Sequence, residues 1–312
     1  MSPTFGAIFC ATRPGETPAV LYTQAEVLQE ALRESGAILL RGFGFDVAAF
    51  ETFCSLFSSR AVVHPGIAHG GRLRVTQTTA TVDAGVLPFA WHAELGYAPH
   101  PPDLVAFACE RAPAQGGETL LTDGCAIADG LSDSGRAVAR RRIRYRYGRL
   151  EKTWAVAFDG ARSTRDVERV LRERASCLHA REELTWAFRR RGGRGVRIEF
   201  TTPMLSAVRW SDRQAFCNHV IWQERRRRDH APHVLDLRRF LWPADGVALA
   251  DGLRIPTEAL VEFERLADEA AYAIEWRRGD VAVLDNSRVM HARGAVLDTS
   301  RRILARMSDA AF

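Results

Sequence analysis

Residues 91–124 read WHAELGYAPHPPDLVAFACERAPAQGGETLLTDG and combine two strand signals with one candidate metal motif. Residues 104–109 (LVAFAC) and 118–123 (ETLLTD) are short apolar runs bounded by proline, glycine and aspartate, a pattern that favours buried β-strands. His92 is the only one of the nine histidines with a carboxylate two residues later, at Glu94. In an extended segment both side chains project to the same face, where they can meet a single metal ion.

The strand pattern recurs along the chain, and helical segments surround it. Thr23 and Glu26 have the spacing of a capping box for a helix that ends at Gly36, and Asp46 is the predicted cap of a second helix through about residue 57. This alternation predicts one domain over residues 1–312, mainly β with surrounding helices, in a jelly-roll fold. The further predicted strands are 37–43, 142–148, 196–200, 215–221, 279–286 and 301–307, and the further predicted helices are about 126–140, 165–176 and 257–273.

Composition excludes several protein classes. Hydrophobic and charged fractions of 46% and 26% are those of an ordinary globular protein. No apolar run approaches the ~20 residues of a membrane span, and no signal peptide is evident, so we expect a cytoplasmic protein with no membrane partner. The six cysteines are scattered without a C-x-x-C pair, which favours free thiols over disulfides.

The net charge of +5 does not by itself indicate a nucleic-acid binder. Lys152 is the only lysine among 43 basic residues, so the excess is an arginine bias of the whole chain. The densest run, residues 225–228, has no interleaved aromatics and is followed by Asp229, which favours a solvated surface. We therefore expect no nucleic-acid partner, although steep salt-dependent DNA retention would favour one.

A third ligand would complete the metal site. Non-haem iron(II) oxygenases bind their metal through two imidazoles and one carboxylate on one face. His291 is the best candidate for the second imidazole, because it follows GDVAVLDNSRVM between two late strands. The alternatives are a chance H-x-E motif, a polar His291 at a loop edge, and a separate histidine pair at His230 and His233.

An arginine-rich strand follows His291. Arg302 lies eleven residues after it, within RRILARM (301–307), and alternation places Arg302 and Arg306 on one face with Arg301 on the other. A buried guanidinium needs an anionic partner, which a dicarboxylate cosubstrate would supply through a bidentate pair. We expect Arg302 to be the inward residue. The alternative is that all three arginines lie on the surface.

These segments resemble the taurine dioxygenase superfamily of iron(II)/2-oxoglutarate oxygenases. The most similar branch contains the syringomycin-type hydroxylases and clavaminate synthase. The resemblance rests on residues 91–124, on DGLRIPTEAL (251–260) and on residues 279–307, and covers most of the chain from about residue 37. It implies a double-stranded β-helix and an enzyme that uses Fe(II), 2-oxoglutarate and O2.

The resemblance also implies residue roles. His92, Glu94 and His291 would be the iron ligands, Arg302 and Thr119 would bind the distal carboxylate of 2-oxoglutarate, and Arg306 would face the substrate or cosubstrate. Trp91 and Asn218 are candidate pocket residues, with the core or local hydrogen bonds as the alternative. Asn286 and Arg293 flank His291 and would either support the ligands or stabilise the turn.

Glu94 departs from taurine dioxygenase, which has aspartate at this position. The longer side chain argues against a taurine-like substrate, and a carboxylate here argues against halogenation, which needs a small residue. The expected reaction is hydroxylation of an unactivated carbon in a small molecule, an amino acid that is free or presented on a carrier protein in antibiotic biosynthesis. Desaturation, cyclisation and a catalytically inactive jelly-roll binding protein remain the alternatives.

Overall fold

The computed structural model describes residues 5–13, 15–69, 71–176, 183–189, 195–229 and 246–312. The α-helices are α1 (Ala19–Tyr22), α2 (Ala25–Ser35), α3 (Val47–Cys54), α4 (Gly124–Gly130), α5 (Asp133–Ala139), α6 (Trp154–Ala157), α7 (Thr164–Ser176), α8 (Val220–Asp229) and α9 (Thr257–Glu269). The strands are β1 (Ala7–Cys10), β2 (Ala37–Arg41), β3 (Ser58–Val62), β4 (Thr79–Thr81), β5 (Phe89–His92), β6 (Leu104–Arg111), β7 (Thr119–Asp123), β8 (Arg142–Leu150), β9 (Glu183–Arg189), β10 (Gly195–Pro203), β11 (Ser206–Ala207), β12 (Gln214–Ala215), β13 (Gly246–Leu249), β14 (Tyr272–Ile274), β15 (Val281–Asp285), β16 (Val289–Arg293) and β17 (Arg302–Ala310). Short 3-10 helices lie at Pro65–His69 and Glu151–Thr153.

Two sheets form the centre of the molecule. The larger has the order β1-β2-β15-β6-β17-β3, with β4 also paired to β17, and the smaller has the order β14-β7-β16-β5. Every pairing in them is antiparallel except β1 with β2. The apolar core between the sheets combines Leu39, Val105, Phe107, Ala282, Leu284, Ile303 and Ala305 of the larger sheet with Leu121, Ile274 and Val289 of the smaller one. Because one continuous core takes side chains from both, the two sheets pack face to face.

Further layers cover the outer faces of this pair. Helices α2 and α3 pack on the larger sheet through a core that includes Leu28, Phe53 and Leu304. On the other side, a third core that includes Met290 and Phe263 joins the smaller sheet to α9 and to a third sheet of order β13-β8-β10-β9. The architecture is therefore mixed, with several antiparallel sheets and helices on both sides.

Most of the predicted elements are confirmed. Residues 37–43 contain β2, and the Asp46 carboxylate accepts a hydrogen bond of 2.8 Å from the Ala49 amide, so Asp46 does cap α3. Gly36 ends α2 with a φ of 76°, a left-handed conformation that favours glycine. The strand signals in residues 91–124 correspond to β6 and β7.

Three predictions of local structure are wrong. Thr23 does not cap α2, because its hydroxyl donates backwards to the carbonyl of Val20 in α1. The helix predicted over residues 126–140 is two helices, α4 and α5, and Ser132 starts the second by accepting a hydrogen bond from Gly135. Residues 215–221 are not a strand, since only Ala215 pairs and α8 begins at Val220.

Two further expectations from the sequence concern membrane-spanning segments and disulfides, and the described residues bear on both. Within them, no helix is long and apolar enough to cross a membrane. The five cysteines that the structure describes are free thiols, while Cys177 lies outside the described residues.

Candidate active site

Strand pairing brings His92 and His291 together. The two residues are direct partners in the β5–β16 ladder, and their ring centroids are 4.2 Å apart. Alternation along both strands turns Trp91 and Met290 into the apolar core on the outer face of the smaller sheet, so the two histidines face inward. One ligand atom each of His92, Glu94 and His291 lies within 4.8 Å of the others, and all three residues are buried.

Backbone contacts fix Glu94 just beyond the end of β5. The Asn286 side chain accepts a hydrogen bond of 2.8 Å from the Glu94 amide and donates one of 3.0 Å to the Glu94 carbonyl. It also donates to the Pro102 carbonyl at 2.8 Å. Leu95 follows with a φ of 53°, a left-handed conformation that is costly for a residue with a side chain. Asn286, a residue of uncertain role from the sequence, thus holds the turn that presents Glu94.

The protonation states suit metal coordination. His92 Nδ1 lies 2.8 Å from the Ala90 carbonyl, so Nδ1 carries the proton and Nε2 keeps its lone pair free. Burial, and then the neighbouring His291, hold the pKa of His92 well below its usual range, which keeps its imidazole neutral. Burial raises the pKa of Glu94, but Arg72 and two histidines outweigh it and hold that pKa well below its usual range. Neutral imidazole with ionised carboxylate is the donor set of non-haem iron(II) sites, so these residues fit that metal.

Two residues that the sequence analysis did not single out contact the Glu94 carboxylate. Arg72 Nη2 lies 3.1 Å from Oε2, and His64 Nε2 lies 3.2 Å from Oε1. Their side chains are only 11% and 16% exposed. They precede Glu94 by 22 and 30 residues in a loop with no strand or helix periodicity, so no local pattern points to them.

A second polar cluster lies where the two sheets meet. Thr119 starts β7 and pairs with Arg293 of β16, two residues after His291. The Thr119 hydroxyl accepts a hydrogen bond of 2.9 Å from Trp276 Nε1, and Arg301 Nη2 lies 3.5 Å from the same oxygen. Burial, and then the neighbouring Arg293, lower the pKa of Arg301 to about 10. Among the described residues, the Nε atoms of both arginines have no hydrogen-bond partner.

The glycine pair before Thr119 makes room for Arg301. A Cβ atom on Gly117 would lie 2.8 Å from Arg301 Cδ and 3.1 Å from its Nε. Gly117 also has a φ of 71°, which favours glycine independently. The GGET segment therefore lets the Arg301 side chain lie beside Thr119.

The predicted orientation of Arg302 is wrong. Its Nε forms an ion pair of 2.7 Å with Glu110, and its side chain is 49% exposed. Ile303 and Ala305 point into the core between the two sheets, so the odd-numbered positions of β17 face inward, and Arg301 lies on their side. The predicted alternation was correct, but the inward face was assigned to the wrong set of residues.

Arg306 does not lie at the metal centre either. It follows Leu304 on the outer face of the larger sheet, where its Nη1 donates a hydrogen bond of 3.1 Å to the Glu51 carbonyl of α3. Its predicted contact with substrate or cosubstrate is therefore wrong, because Arg306 lies on the α3 side of the larger sheet, opposite the inward face that carries Ile303 and Ala305.

Trp91 and Asn218, the two candidate pocket residues, form core and hydrogen-bond contacts within the fold. Trp91 is buried in the core outside the smaller sheet, and its Nε1 donates a hydrogen bond of 2.7 Å to Asp268. Asn218 donates from its side chain to the Met204 carbonyl at 3.0 Å and accepts from the Val220 amide at 2.9 Å, at the start of α8. The next residue, His219, was not predicted, yet its ring lies 5.3 Å from that of His92. His230 and His233 lie outside the described residues.

Comparison with known proteins agrees with this geometry. The model of the family described as taurine catabolism dioxygenase TauD, TfdA matches residues 1–308. The chain belongs to this family. It is an iron(II)- and 2-oxoglutarate-dependent dioxygenase with an intact His-Glu-His triad, and iron(II) and 2-oxoglutarate are the metal and cosubstrate typical of the family.

Individual relatives are distant. A clavaminate synthase-like protein of Arabidopsis thaliana is 23% identical over 304 residues, which are 91% of this chain and 84% of the relative.

Solved structures of two proteins show the same fold, at sequence identities below that of the Arabidopsis relative. PvcB of Pseudomonas aeruginosa has a TM-score of 0.58 at 19% identity, covering 98% of this chain and 86% of its own. PvcB, of which a second structure is also similar to this chain, is an Fe, alpha-ketoglutarate dependent oxygenase from an isonitrile synthetic pathway. A taurine dioxygenase of Burkholderia xenovorans has a TM-score of 0.59 at 16% identity, covering 99% and 87%.

Proposed function

We propose that this dioxygenase hydroxylates an unactivated carbon of an amino acid, free or tethered to a carrier protein, in natural-product biosynthesis. The observation that carries the proposal is the juxtaposition of two sites. A buried His-Glu-His cluster lies near a separate cationic cluster of buried Arg293 and half-buried Arg301, whose Nε atoms have no hydrogen-bond partner among the described residues. A metal ion fits the first, and a carboxylate fits the second.

His92, Glu94 and His291 would hold the iron. Two imidazole nitrogens and one carboxylate would leave the other side of the metal for cosubstrate and dioxygen, as in this class of enzyme. We assign the distal carboxylate of 2-oxoglutarate to Arg301 and Thr119, in place of the pair Arg302 and Thr119 predicted from the sequence. Support comes from the partial burial of Arg301, from its Nε, which has no hydrogen-bond partner in the described part of the chain, and from its Nη2, 3.5 Å from the Thr119 hydroxyl.

The bound iron and 2-oxoglutarate supply the oxidation of a C–H bond by dioxygen. The residues of the chain bind and orient. The Ala90 carbonyl holds His92 in the tautomer that presents Nε2, and Asn286 holds the Glu94 backbone. Arg301 would orient the cosubstrate by binding its distal carboxylate, since a planar guanidinium can form two parallel hydrogen bonds to a carboxylate. The Phe107 ring, 5.3 Å from that of His291, helps to exclude water.

We further propose that residues 1–312 form one domain and that its two central sheets are those of a double-stranded β-helix. The face-to-face packing of a larger and a four-stranded sheet supports this, as does the fold shared with the dioxygenase structures.

The choice of substrate class rests on analogy. It is supported by the clavaminate synthase-like relative and by the isonitrile pathway named for PvcB. Glu94, in place of the aspartate of taurine dioxygenase, supports a substrate other than taurine. Desaturation or cyclisation of such a substrate is the second candidate, because the same donor set supports it.

The test has two stages. Iron(II) and 2-oxoglutarate are added without oxygen, and the visible charge-transfer band of the chelate is followed. Oxygen and a panel of amino acids, either free or attached to a carrier protein, are then supplied, and the masses of the products are measured by mass spectrometry. A gain of 16 Da supports hydroxylation, a loss of 2 Da supports desaturation or cyclisation, and a protein that binds both cofactors but never forms succinate with any substrate contradicts the proposal.

A further inference from the structure

A turn that includes residues 64–69 and 71–72 lies against the carboxylate of Glu94. It contains the short 3-10 helix Pro65–His69, and the Gly71 amide donates a hydrogen bond of 3.2 Å to the Gly66 carbonyl, which closes it. His64 stands at one end and Arg72 at the other. Each contacts a different oxygen of Glu94, so the turn holds the carboxylate from two sides.

The orientation of His64 is fixed by its own turn. The Gly66 amide donates a hydrogen bond of 2.8 Å to His64 Nδ1, so the ring proton sits on Nε2 and points at Glu94 Oε1, 3.2 Å away. A Cβ atom on Gly66 would lie 2.6 Å from that Nδ1, and only glycine lets the ring lie this close to the backbone. His64 is therefore a neutral hydrogen-bond donor, and Arg72 supplies the positive charge at Oε2.

The turn is attached to the strand that carries His291. The Ala84 amide donates a hydrogen bond of 3.1 Å to the Gly71 carbonyl. Arg293, on β16, donates from Nη1 to the Asp83 carbonyl at 2.7 Å and from Nη2 to the Leu87 carbonyl at 2.8 Å. A continuous path of hydrogen bonds thus runs from the metal-binding strand to the turn, which gives Arg72 a fixed position relative to the ligand.

We propose that Arg72 and His64 are positioning residues that fix which oxygen of Glu94 is presented to the metal and in which plane. Glutamate has one more rotatable bond than aspartate, so its carboxylate needs more restraint to hold a ligand geometry. Two donors on two different oxygens supply that restraint and disfavour a carboxylate that rotates or binds the metal through both oxygens. The inference rests on the assignment of His92, Glu94 and His291 as the ligands.

The test compares metal binding in two loop variants and a matched control. Co(II) is titrated into wild-type protein and Arg72→Gln, with the d–d spectrum as the reporter of coordination geometry. We expect Arg72→Gln to bind Co(II) about 10- to 100-fold more weakly and with an altered spectrum. Arg72→Lys, which keeps the charge and one donor, is expected to recover part of the affinity. Arg74→Gln is the control, since Arg74 is exposed and donates only to the Gln77 carbonyl of its own loop among the described residues.

Gly66→Ala provides an independent variant, because its added Cβ atom displaces the His64 ring although neither His64 nor Arg72 is itself substituted. It is expected to weaken Co(II) binding by a smaller factor than Arg72→Gln. Wild-type affinity and spectrum in both Arg72→Gln and Gly66→Ala overturn the proposal, and Gly66→Ala alone decides if Arg72→Gln does not fold. Failure of the wild-type protein itself to bind Co(II) would instead refute the ligand assignment, so the two failures are distinguishable.

Discussion

Replacing Arg301 with methionine should change cofactor binding and stability in opposite directions. The Arg301 side chain is half-buried near a second guanidinium, that of Arg293, and its Nη2 lies 3.5 Å from the Thr119 hydroxyl. Burial lowers the pKa of Arg301 from 12.5 to about 10, which means that the charged form is disfavoured in the folded protein. The anion that would compensate this charge is the distal carboxylate of 2-oxoglutarate.

The magnitudes follow from that arrangement. Removing one member of a buried charge pair costs ~3–5 kcal/mol, because the other charge is left uncompensated. At about 1.4 kcal/mol per tenfold, 2-oxoglutarate should bind roughly a hundred- to several-thousand-fold more weakly. Without 2-oxoglutarate, a neutral side chain of similar volume relieves the buried charge, so the free energy of unfolding at neutral pH should rise by about 1–3 kcal/mol.

Two measurements check this prediction. The dissociation constant of 2-oxoglutarate is obtained by anaerobic titration of the iron-loaded protein, and the free energy of unfolding by urea denaturation without 2-oxoglutarate. Arg302→Met is the matched control, because Arg302 pairs with Glu110 at the surface and should change neither quantity by more than about 1 kcal/mol. If Arg302→Met weakened 2-oxoglutarate binding and Arg301→Met did not, the assignment of the inward face would be refuted.

The other predictions concern the metal ligands and their neighbours. Glu94→Ala and His291→Ala should each abolish turnover while leaving the far-ultraviolet circular dichroism spectrum unchanged, and near-wild-type activity in either would remove that residue from the ligand set. Because Glu94 fills the carboxylate position, no chlorinated product should form in chloride buffer, as judged by mass spectrometry. Asn286→Ala deletes three buried hydrogen bonds and should lower the free energy of unfolding by about 2–4 kcal/mol in urea denaturation, whereas a loss under 1 kcal/mol would show that Asn286 does not hold the Glu94 turn. Burial lowers the pKa of His219 from 6.5 to about 4, so the unfolded chain binds this proton more tightly than the folded protein does. As the pH falls from 6.5 to 4, this residue should therefore lower the free energy of unfolding by about 1.4 kcal/mol per pH unit. His219→Gln should reduce this dependence of the free energy of unfolding on pH relative to wild type. An unchanged slope would contradict the conclusion that a buried, neutral His219 causes it.

The sequence by itself determined the chemistry of the metal centre. A histidine with a carboxylate two residues on, and a second histidine between late strands, already predicted the donor set that the structure brings together. A short apolar run bounded by turn residues is a local signal, so residues 104–109, 118–123 and 279–286 also predicted the strands β6, β7 and β15 directly.

Only the tertiary structure decided which arginine faces the site. Alternation separates Arg301 from Arg302, but it does not say which set of residues is inside, because that depends on the layers packed against each face of β17. Ile303 and Ala305 lie in the core between the sheets, while Leu304 lies under α3, and this fixes Arg301 as the inward residue. The contacts of Arg72 and His64 with Glu94 could not be predicted from the sequence either, since they join residues 22 and 30 positions apart through a loop whose sequence has no strand or helix periodicity.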